Sequence, residues 1–364
     1  MNRYFYYLIL LNMLVNVFMY VPSILIRERF DGAVLALPLG VLIGTIFLFL
    51  FVFSINKFPK LGLPEIIEHT PKVFRNIFLF FFALIWFFAG SITLLAFNNV
   101  IIRFINPDIT GFNMISAFLV LIIMLLSLLR SDKILYTLEI IFILNLPLIL
   151  IIMLQAYTNN YLTIDSVLEV GTHLFEVPSL SAIAAASFVF SGYANLVIFN
   201  RVFKEKINWK LLWIIPIVGF INLITSVLIP IGFWGADGVG DLTYPWIATS
   251  DALRIEFGPI ERLTTIFILL YVSVATISTV VHWHVALEIL KSIFHVKKFK
   301  QKKKTIFTWV ILVIFGVGVI LLEMNIKENT IFRFGEAWLN IRLFSEAFLI
   351  ILMVLLSRRK KNGT

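Results

Sequence analysis

Residues 178–200 read PSLSAIAAASFVFSGYANLVIFN, an apolar run of membrane-spanning length with a Ser-Gly pair past its middle. A helix needs roughly 20 mostly apolar residues to cross about 30 Å of hydrocarbon. Because a backbone inside lipid must satisfy its own hydrogen bonds, such runs are predicted to be helices. Nine more runs qualify, at about 4–26, 33–55, 76–102, 112–129, 134–156, 211–234, 262–290, 305–322 and 337–357. The sequence therefore predicts an all-α integral membrane protein with about ten transmembrane helices.

The composition agrees with this fold class and limits the function. Of the 364 residues, 60% are hydrophobic and 14% charged, and the mean hydropathy is +0.98. A soluble domain needs far more charged surface. The absence of cysteine excludes disulfide bonds and cysteine-ligated zinc. His282 and His284 lie about 200° apart around a helix, so they are not expected to share a metal ion. No nucleotide-binding loop, metal signature or nucleophile triad is present, and we predict neither enzyme activity nor a cofactor.

The lysine and arginine residues give the orientation. With the N-terminus in the cytoplasm, 22 of the 30 basic residues fall in predicted inner segments and 8 in outer ones, with Arg342 counted as outer. The positive-inside rule thus places both termini in the cytoplasm. The run KKFKQKKK, residues 297–304, lies on the same side. We attribute this run to contact with anionic lipid and not to nucleic acid.

Ten spans divide into two sets of five. Approximate halves 1–157 and 178–364 of a single membrane domain, 1–364, would then have opposite orientations, joined by the outer loop 158–177. Secondary transporters with such inverted repeats bind their substrates where a helix is interrupted at matching positions of both halves. The first span contains Pro22, which lacks an amide hydrogen, and the sixth contains Gly192, which leaves helical geometry easily. The alternative is that both residues only kink their helices.

Unwound backbone inside a bundle offers amides to a carboxylate and carbonyls to an ammonium group. An amino acid has both groups, so the two breaks predict a site for such a ligand. The predicted ligand-binding residues are Asn16, Tyr20, Pro22, Ser23, Ser191, Gly192, Tyr193 and Asn195.

Glu346 lies near the middle of the tenth predicted span. A carboxylate at this depth is costly and is a functional candidate by default. Arg342 lies four residues earlier on the same helix face, where it could form an ion pair or extend outward to the surface. Glu346 is therefore either half of a structural pair or a residue with a coupling or gating role.

Three segments contain recognisable motifs. The stretch Asp241–Ile277, DLTYPWIATSDALRIEFGPIERLTTIFILLYVSVATI, has Thr243, Tyr244 and Pro245 and then Ile260, Glu261 and Arg262 before the eighth span. The others are NKFPKLGLPEIIEHTPK at 56–72 and SFVFSGYANLVIF at 187–199. In these motifs the chain resembles the spore germination permease family, the B-type subunits of nutrient germinant receptors. It departs from the family in NVFMYVPS, residues 16–23, where many members have a glycine-rich run.

The resemblance implies the fold of the amino acid–polyamine–organocation transporters, with broken first and sixth helices. It also implies a role in germinant sensing at the inner membrane of the spore, together with an A-type membrane subunit and a C-type lipoprotein. The expected function is a transporter-like receptor subunit that binds a small nutrient, expected to be an amino acid, and triggers germination. Two alternatives stay open: a true secondary transporter of amino acids or organic cations, and a structural subunit that binds no ligand.

Overall fold

The computed structural model describes residues 3–17, 20–254 and 262–362. Within these ranges, eight helices are long and apolar enough to cross a membrane, and two bent helix pairs bring the number to ten if each pair is one span. The bent pairs are the first and sixth predicted spans, whose two parts diverge by 50° and 66°. The protein is therefore an all-α, multi-pass membrane protein, as predicted, and its first and sixth spans are broken rather than gently kinked.

The helices are numbered along the chain, and short 3₁₀ segments lie between some of them. The first seven are α1 (Arg3–Val17), α2 (Tyr20–Arg27), α3 (Ala33–Ile55), α4 (Leu63–Ile66), α5 (Lys72–Phe104), α6 (Gly111–Leu128) and α7 (Ser131–Tyr157). The others are α8 (Ile164–Gly171), α9 (Leu180–Phe188), α10 (Leu196–Phe199), α11 (Trp209–Leu212), α12 (Ile214–Trp234), α13 (Pro245–Ala252), α14 (Leu263–Ile293), α15 (Gln301–Asn325) and α16 (Glu328–Asn362).

Helices α5 and α14 form the centre of the bundle. In their apolar windows 61% and 67% of the residues are buried, compared with 22% in α6, α7 and α15. The two central helices pack along one another, and the three peripheral ones expose rows of large apolar side chains. Since lipid tails are as apolar as these side chains, the exposed rows indicate the surface that faces hydrocarbon.

The two broken spans lie side by side. Helix α1 contacts the 3₁₀ segment Ser191–Asn195, and α2 contacts α9. Helix α9 also packs against α3, where Gly40 approaches Ala186 so closely that an added Cβ would lie 2.7 Å from its carbonyl carbon. The first and sixth spans are thus adjacent at their breaks. The inverted-repeat relation between the two halves of the chain stays a prediction.

Helix α16 is longer than the tenth span predicted from the sequence. Its 35 residues extend about 50 Å, well beyond the roughly 30 Å of hydrocarbon. Arg342, counted above as an outer residue, lies inside this helix and is 5% exposed. That assignment was wrong, because the side chain turns into the bundle instead of extending to the surface.

Candidate functional site

The site begins at the break in the sixth span. Helix α9 ends at Phe188, and the chain continues as a 3₁₀ segment from Ser191 to Asn195. The last carbonyls of a helix have no amide partner within it. Inside a membrane an unpaired carbonyl is costly, so other groups must satisfy it.

Side chains from two other spans bind the free end of α9. Asn12 of α1 donates a hydrogen bond to the carbonyl of Phe188 at 2.5 Å, and Arg342 of α16 donates one to the carbonyl of Ala184 at 2.5 Å. Arg342 also donates to the hydroxyl of Ser187 at 3.1 Å. A cation is favoured at a helix C-terminus because the carbonyl dipoles place partial negative charge there. Arg342 therefore caps the half-helix by charge and by hydrogen bonds.

Glu346 neutralises this buried cation. Its Oε2 atom lies 2.5 Å from Nη1 of Arg342, and both side chains are almost fully buried. Ser191 donates to the same carboxylate oxygen at 2.8 Å and accepts a bond from Arg342 at 2.7 Å. The ion pair between Arg342 and Glu346, which their four-residue spacing in the sequence made possible, is present. The network of Arg342, Glu346 and Ser191 connects α16 to both sides of the break.

A cavity of about 40 Å³, here named the Arg342 cavity, lies beside this network. Its polar lining consists of Asn12, Ser191, Asn195, His282, Arg342, Ser345 and Glu346. Its aromatic lining consists of Phe82, Trp86, Phe188 and Trp338. One water molecule needs roughly 10–15 Å³ of such space, so this cavity has room for a few waters and must enlarge to hold a nutrient.

A second cavity of about 30 Å³, the Asn16 cavity, is lined by Asn16, Tyr20 and Thr93 among others. Four residues line both cavities: Ala89, Phe188, His282 and Trp338. The rings of Phe188 and Trp338 meet edge to face, with their centroids 5.4 Å apart. The cavities are therefore neighbours, and this ring pair is part of the wall that they share.

Each cavity is lined by a residue with an unused hydrogen-bond donor. Nδ2 of Asn16 and Nε of Arg342 are buried and have no partner among the described residues. Buried donors without partners are rare in native proteins and call for an explanation. Both are nitrogen donors, one of them cationic, so the complementary ligand group is an anionic oxygen such as a carboxylate.

Five of the nine candidate residues reach the cavities. Asn16 and Tyr20 line one, and Ser191, Asn195 and Glu346 line the other.

The other four candidates, Pro22, Ser23, Gly192 and Tyr193, are not among the lining residues. Pro22 lies in the first turn of α2, where an amide hydrogen has no intrahelical acceptor anyway. The hydroxyl of Ser23 donates to the carbonyl of Thr243 at 3.4 Å. Tyr193 packs on the ring of Phe51, with centroids 5.0 Å apart, and interacts electrostatically with Glu346.

Gly192 lies where the chain leaves α-helical geometry, as predicted, within the 3₁₀ segment at the break. It does so without a positive φ, since the described glycines with positive φ are Gly32 and Gly235. The backbone of α1 also passes directly over Gly192, and an added Cβ would lie 2.6 Å from Cα of Ile9. Gly192 therefore allows the two broken spans to touch.

Charged side chains close one end of the bundle. Arg201, at the end of the sixth span, makes two hydrogen bonds of 3.0 Å to Glu65 and one of 3.2 Å to Glu288. Lys297 donates to Glu65 at 2.9 Å. Burial would raise the pKa of Glu65, but the neighbouring Arg201 and Lys297 hold that pKa below its ordinary value of 4.5. This ionic cluster joins α4, the sixth span and the end of α14.

Polar and aromatic contacts join the elements at the opposite end. Tyr244 donates to Glu328 at 2.8 Å, and Arg27 donates to Glu336 at 2.9 Å. The ring of Tyr20 packs against Phe332, with centroids 5.5 Å apart. These contacts fasten α2 and the segment before α13 to the start of α16.

The motif residues between the seventh and eighth spans take part in this end of the bundle. Pro245 is the first residue of α13, a position that favours proline, and Tyr244 forms the bond to Glu328. Arg262 directly precedes α14, while Ile260 and Glu261 lie outside the described residues.

A family model described as spore germination protein matches residues 3–331 of the chain. The chain belongs to the spore germination protein family. The match covers nearly the whole chain and confirms the resemblance seen in the motifs. It ends inside α16, before Arg342 and Glu346. No curated protein sequence matches the chain.

Two residues that form the site of this spore germination protein, Asn12 and Trp86, were not among those predicted from the sequence. Asn12 was detectable, because it is a polar residue inside an apolar run, one helical turn before Asn16. Trp86 of α5 donates to the side chain of Asn195 at 2.8 Å, and Asn195 donates to the carbonyl of Gly192 at 3.2 Å. No pattern distinguishes Trp86 in a chain that is 15% aromatic.

The histidines of this family member have separate partners. His282 donates from Nδ1 to the carbonyl of Ser278 at 2.7 Å, which leaves Nε2 of a neutral ring as an acceptor. Nε2 of His284 lies 2.8 Å from the hydroxyl of Ser131. Over the described part of the chain, no group of three or more His, Asp or Glu side chains is placed to hold a metal ion.

Proposed function

We propose that this protein is a transporter-like nutrient germinant receptor subunit that binds an amino acid between its first, third, sixth, eighth and tenth spans. The observation that supports the proposal most is the buried Arg342–Glu346 pair beside a cavity at a broken helix. Ionisable residues inside a membrane are expensive and are retained where they serve a site. Family membership supports a role in germination.

The pair is complementary to the two charges of an amino acid. Arg342 can donate to the ligand carboxylate through its unused Nε, and Glu346 can accept from the ligand ammonium group. The bound zwitterion then adds no net charge to the membrane interior. The ligand side chain would extend toward Phe188 and Trp338, where the Asn16 cavity begins.

Binding requires a conformational change, since neither cavity alone holds an amino acid. Separating the Phe188 and Trp338 rings would join the two spaces. Because Phe188 is the last residue of α9, the movement would be transmitted to the break and to the Arg342 cap. A ligand shifts such an equilibrium by its difference in affinity for the two states.

In this proposal the ligand-bound conformation is relayed to an A-type membrane subunit and a C-type lipoprotein in the inner membrane of the spore. Both termini and the basic run 297–304 lie in the cytoplasm, as the distribution of basic residues predicts.

Replacement of Asn16 by Ala tests ligand binding separately from stability. Nδ2 of Asn16 makes no bond within the described protein, so its loss should leave the unfolding temperature nearly unchanged. In the proposed pose Asn16 donates to a polar atom of the ligand side chain, which enters the Asn16 cavity, and loss of this hydrogen bond should weaken binding by roughly 2- to 10-fold. Asn12→Ala is the matched control, because Asn12 caps Phe188 and its loss should lower stability. Normal ligand affinity in Asn16→Ala would place the ligand elsewhere.

The second candidate is a true secondary transporter of amino acids or organic cations. It is favoured by the contacts at both ends of the bundle, because alternating access needs a closure on each side of the site. Uptake of labelled amino acids into proteoliposomes separates the two functions. A receptor binds the ligand without accumulating it. A transporter accumulates the ligand inside the vesicles when an imposed ion gradient drives the uptake.

A further inference from the structure

A polar cavity near the ionic cluster has no role in the function proposed above. It has a volume of about 440 Å³ and lies between the α6–α7 turn, the end of α14 and the start of α15. Its size falls in the range of small-molecule sites, roughly 300–1,000 Å³. We call it the headgroup pocket.

The pocket is strongly basic. Arg130, Lys291, Lys297 and Lys304 line it, and Glu288 is its one acidic lining residue among those described. Glu288 is already engaged by Arg201 at 3.2 Å and by Lys291 at 3.0 Å. Arg130 and Lys297 are paired with Asp132 at 3.2 Å and Glu65 at 2.9 Å, two carboxylates that do not line the pocket. Lys304 has no carboxylate partner among the described residues, so the pocket lining retains an excess of positive charge.

Hydroxyl groups also line the pocket. They belong to Ser131, Ser292, Thr305 and Thr308, and the first of these is held by His284 at 2.8 Å. The other three already donate to backbone carbonyls of their own helices, Ser292 to Glu288, Thr305 to Gln301 and Thr308 to Lys304. The attraction for phosphate oxygens therefore comes from the positive charges.

The remaining wall is apolar and open to lipid. Leu126, Leu128 and Trp309 line the pocket, and Leu128 is 72% and Trp309 44% exposed. Leu128 belongs to α6 and Trp309 to α15, which are two of the peripheral helices that face hydrocarbon. Tryptophan is enriched at the level of lipid headgroups. A molecule in this pocket would thus have its polar part among the lysines and its apolar part along α6 and α15.

We propose that this pocket binds the phosphate headgroup of an anionic phospholipid. Arg130 of the α6–α7 turn and Lys304 of α15 bind the phosphate, and the acyl chains lie along Leu128 and Trp309. Basic pockets between transmembrane helices on the cytoplasmic side hold anionic headgroups in this manner. A free phosphate compound shares the headgroup chemistry but has no use for the apolar wall.

Thermal unfolding of the full chain in detergent tests the proposal. Phosphatidylglycerol should raise the unfolding temperature by several degrees, whereas phosphatidylcholine and inorganic phosphate should not. The combined variant Arg130→Gln, Lys304→Gln should lose most of that shift. The matched control is Lys302→Gln, Lys303→Gln, which removes the same charge from exposed positions that do not line the pocket.

Each other result contradicts the proposal. Equal loss in the two variants would indicate diffuse attraction to a basic surface. An equal shift with inorganic phosphate would identify a free anion site and not a lipid site. Native mass spectrometry provides a readout that does not depend on unfolding: one phosphatidylglycerol should stay bound to the wild type and to the Lys302, Lys303 variant, and not to the Arg130, Lys304 variant.

Discussion

Arg342 donates a hydrogen bond to the carbonyl of Ala184, 158 residues earlier in the chain, at a distance of 2.5 Å. This bond joins the last helix to the first half of the broken sixth span. Because the same guanidinium group lies 2.5 Å from the carboxylate of Glu346, the break, its cap and the counter-ion form one unit. The break in the sixth span is thus stabilised by α16 and not by its own sequence alone.

Replacement of Arg342 by Gln should destabilise the protein strongly. Removing one partner of a buried ion pair typically costs about 3–5 kcal/mol, because the remaining charge is left unpaired. The unfolding temperature in detergent should fall, and the added replacement Glu346→Gln should restore part of the loss. Arg333→Gln is the control, since Arg333 is exposed on the same helix and its loss should change stability by less than about 0.5 kcal/mol. An unfolding temperature of Arg342→Gln equal to that of Arg333→Gln would show that the cap contributes nothing.

Gly192→Ala should lower the amount of protein that reaches the membrane. The added methyl group would overlap the backbone of Leu8 and Ile9, and backbone cannot move aside as a side chain can. Overpacking of this kind costs roughly 1–3 kcal/mol or more. Gly171→Ala is the matched control, because no atom lies within 4 Å of the position of its Cβ. Equal membrane levels of the two variants would refute the close approach of α1.

The ionic cluster should make stability depend on pH in the acid range. The folded pKa of Glu65 is below its ordinary value of 4.5, so its pairing stabilises the protein above about pH 4.5 and is lost as pH falls through the lower folded pKa. Glu65→Gln should therefore lower the unfolding temperature at pH 7, and the difference from wild type should shrink toward pH 3. Glu68→Gln, at an exposed neighbouring position, should show no such trend. A difference that is constant with pH would exclude this role of the Glu65 charge.

The ring pair between the two cavities should limit ligand size. Replacing Trp338 by Leu removes the ring that meets Phe188 and should join the Arg342 and Asn16 cavities. We expect the preference for amino acids with larger side chains, measured as the ratio of effective concentrations in germination dose–response curves, to rise about tenfold. This change corresponds to about 1.4 kcal/mol of binding free energy. Trp213→Leu, at a lipid-exposed position, should leave the preference unchanged. An unchanged preference in Trp338→Leu would mean that the ligand does not reach this ring pair.

The fold was predictable because span length and hydropathy are properties of single segments. All ten runs found in the sequence coincide with helices or bent pairs, and the positions of Pro22 and Gly192 gave the two broken spans. The candidate site was less predictable, because it depends on which side of a helix meets which neighbour. Asn16 and Ser191 line cavities, while Ser23 and Tyr193 do not, although all four lie close to the breaks in sequence.

Arg342 shows why charge alone was misleading. An arginine near the end of an apolar run can equally extend to the membrane surface or turn inward. The direction of the Arg342 side chain depends on hydrogen-bond acceptors from distant segments. These are the carbonyl of Ala184 and the hydroxyls of Ser187 and Ser191. The spacing to Glu346 predicted the pair, but only the fold brings the pair to the break.

In the proposed receptor, Glu346 binds the ammonium group and Arg342 the carboxylate of an amino acid. The most direct measurement is a binding comparison of the activating amino acid with its analogue that lacks the amino group, in wild type and in Glu346→Gln. In wild type we predict that loss of the ammonium group weakens binding at least tenfold, a loss of about 1.4 kcal/mol. In Glu346→Gln the amino acid and its analogue should bind within about twofold of each other. The same tenfold penalty in both proteins would show that Glu346 does not contact the ammonium group and would contradict the proposed binding mode.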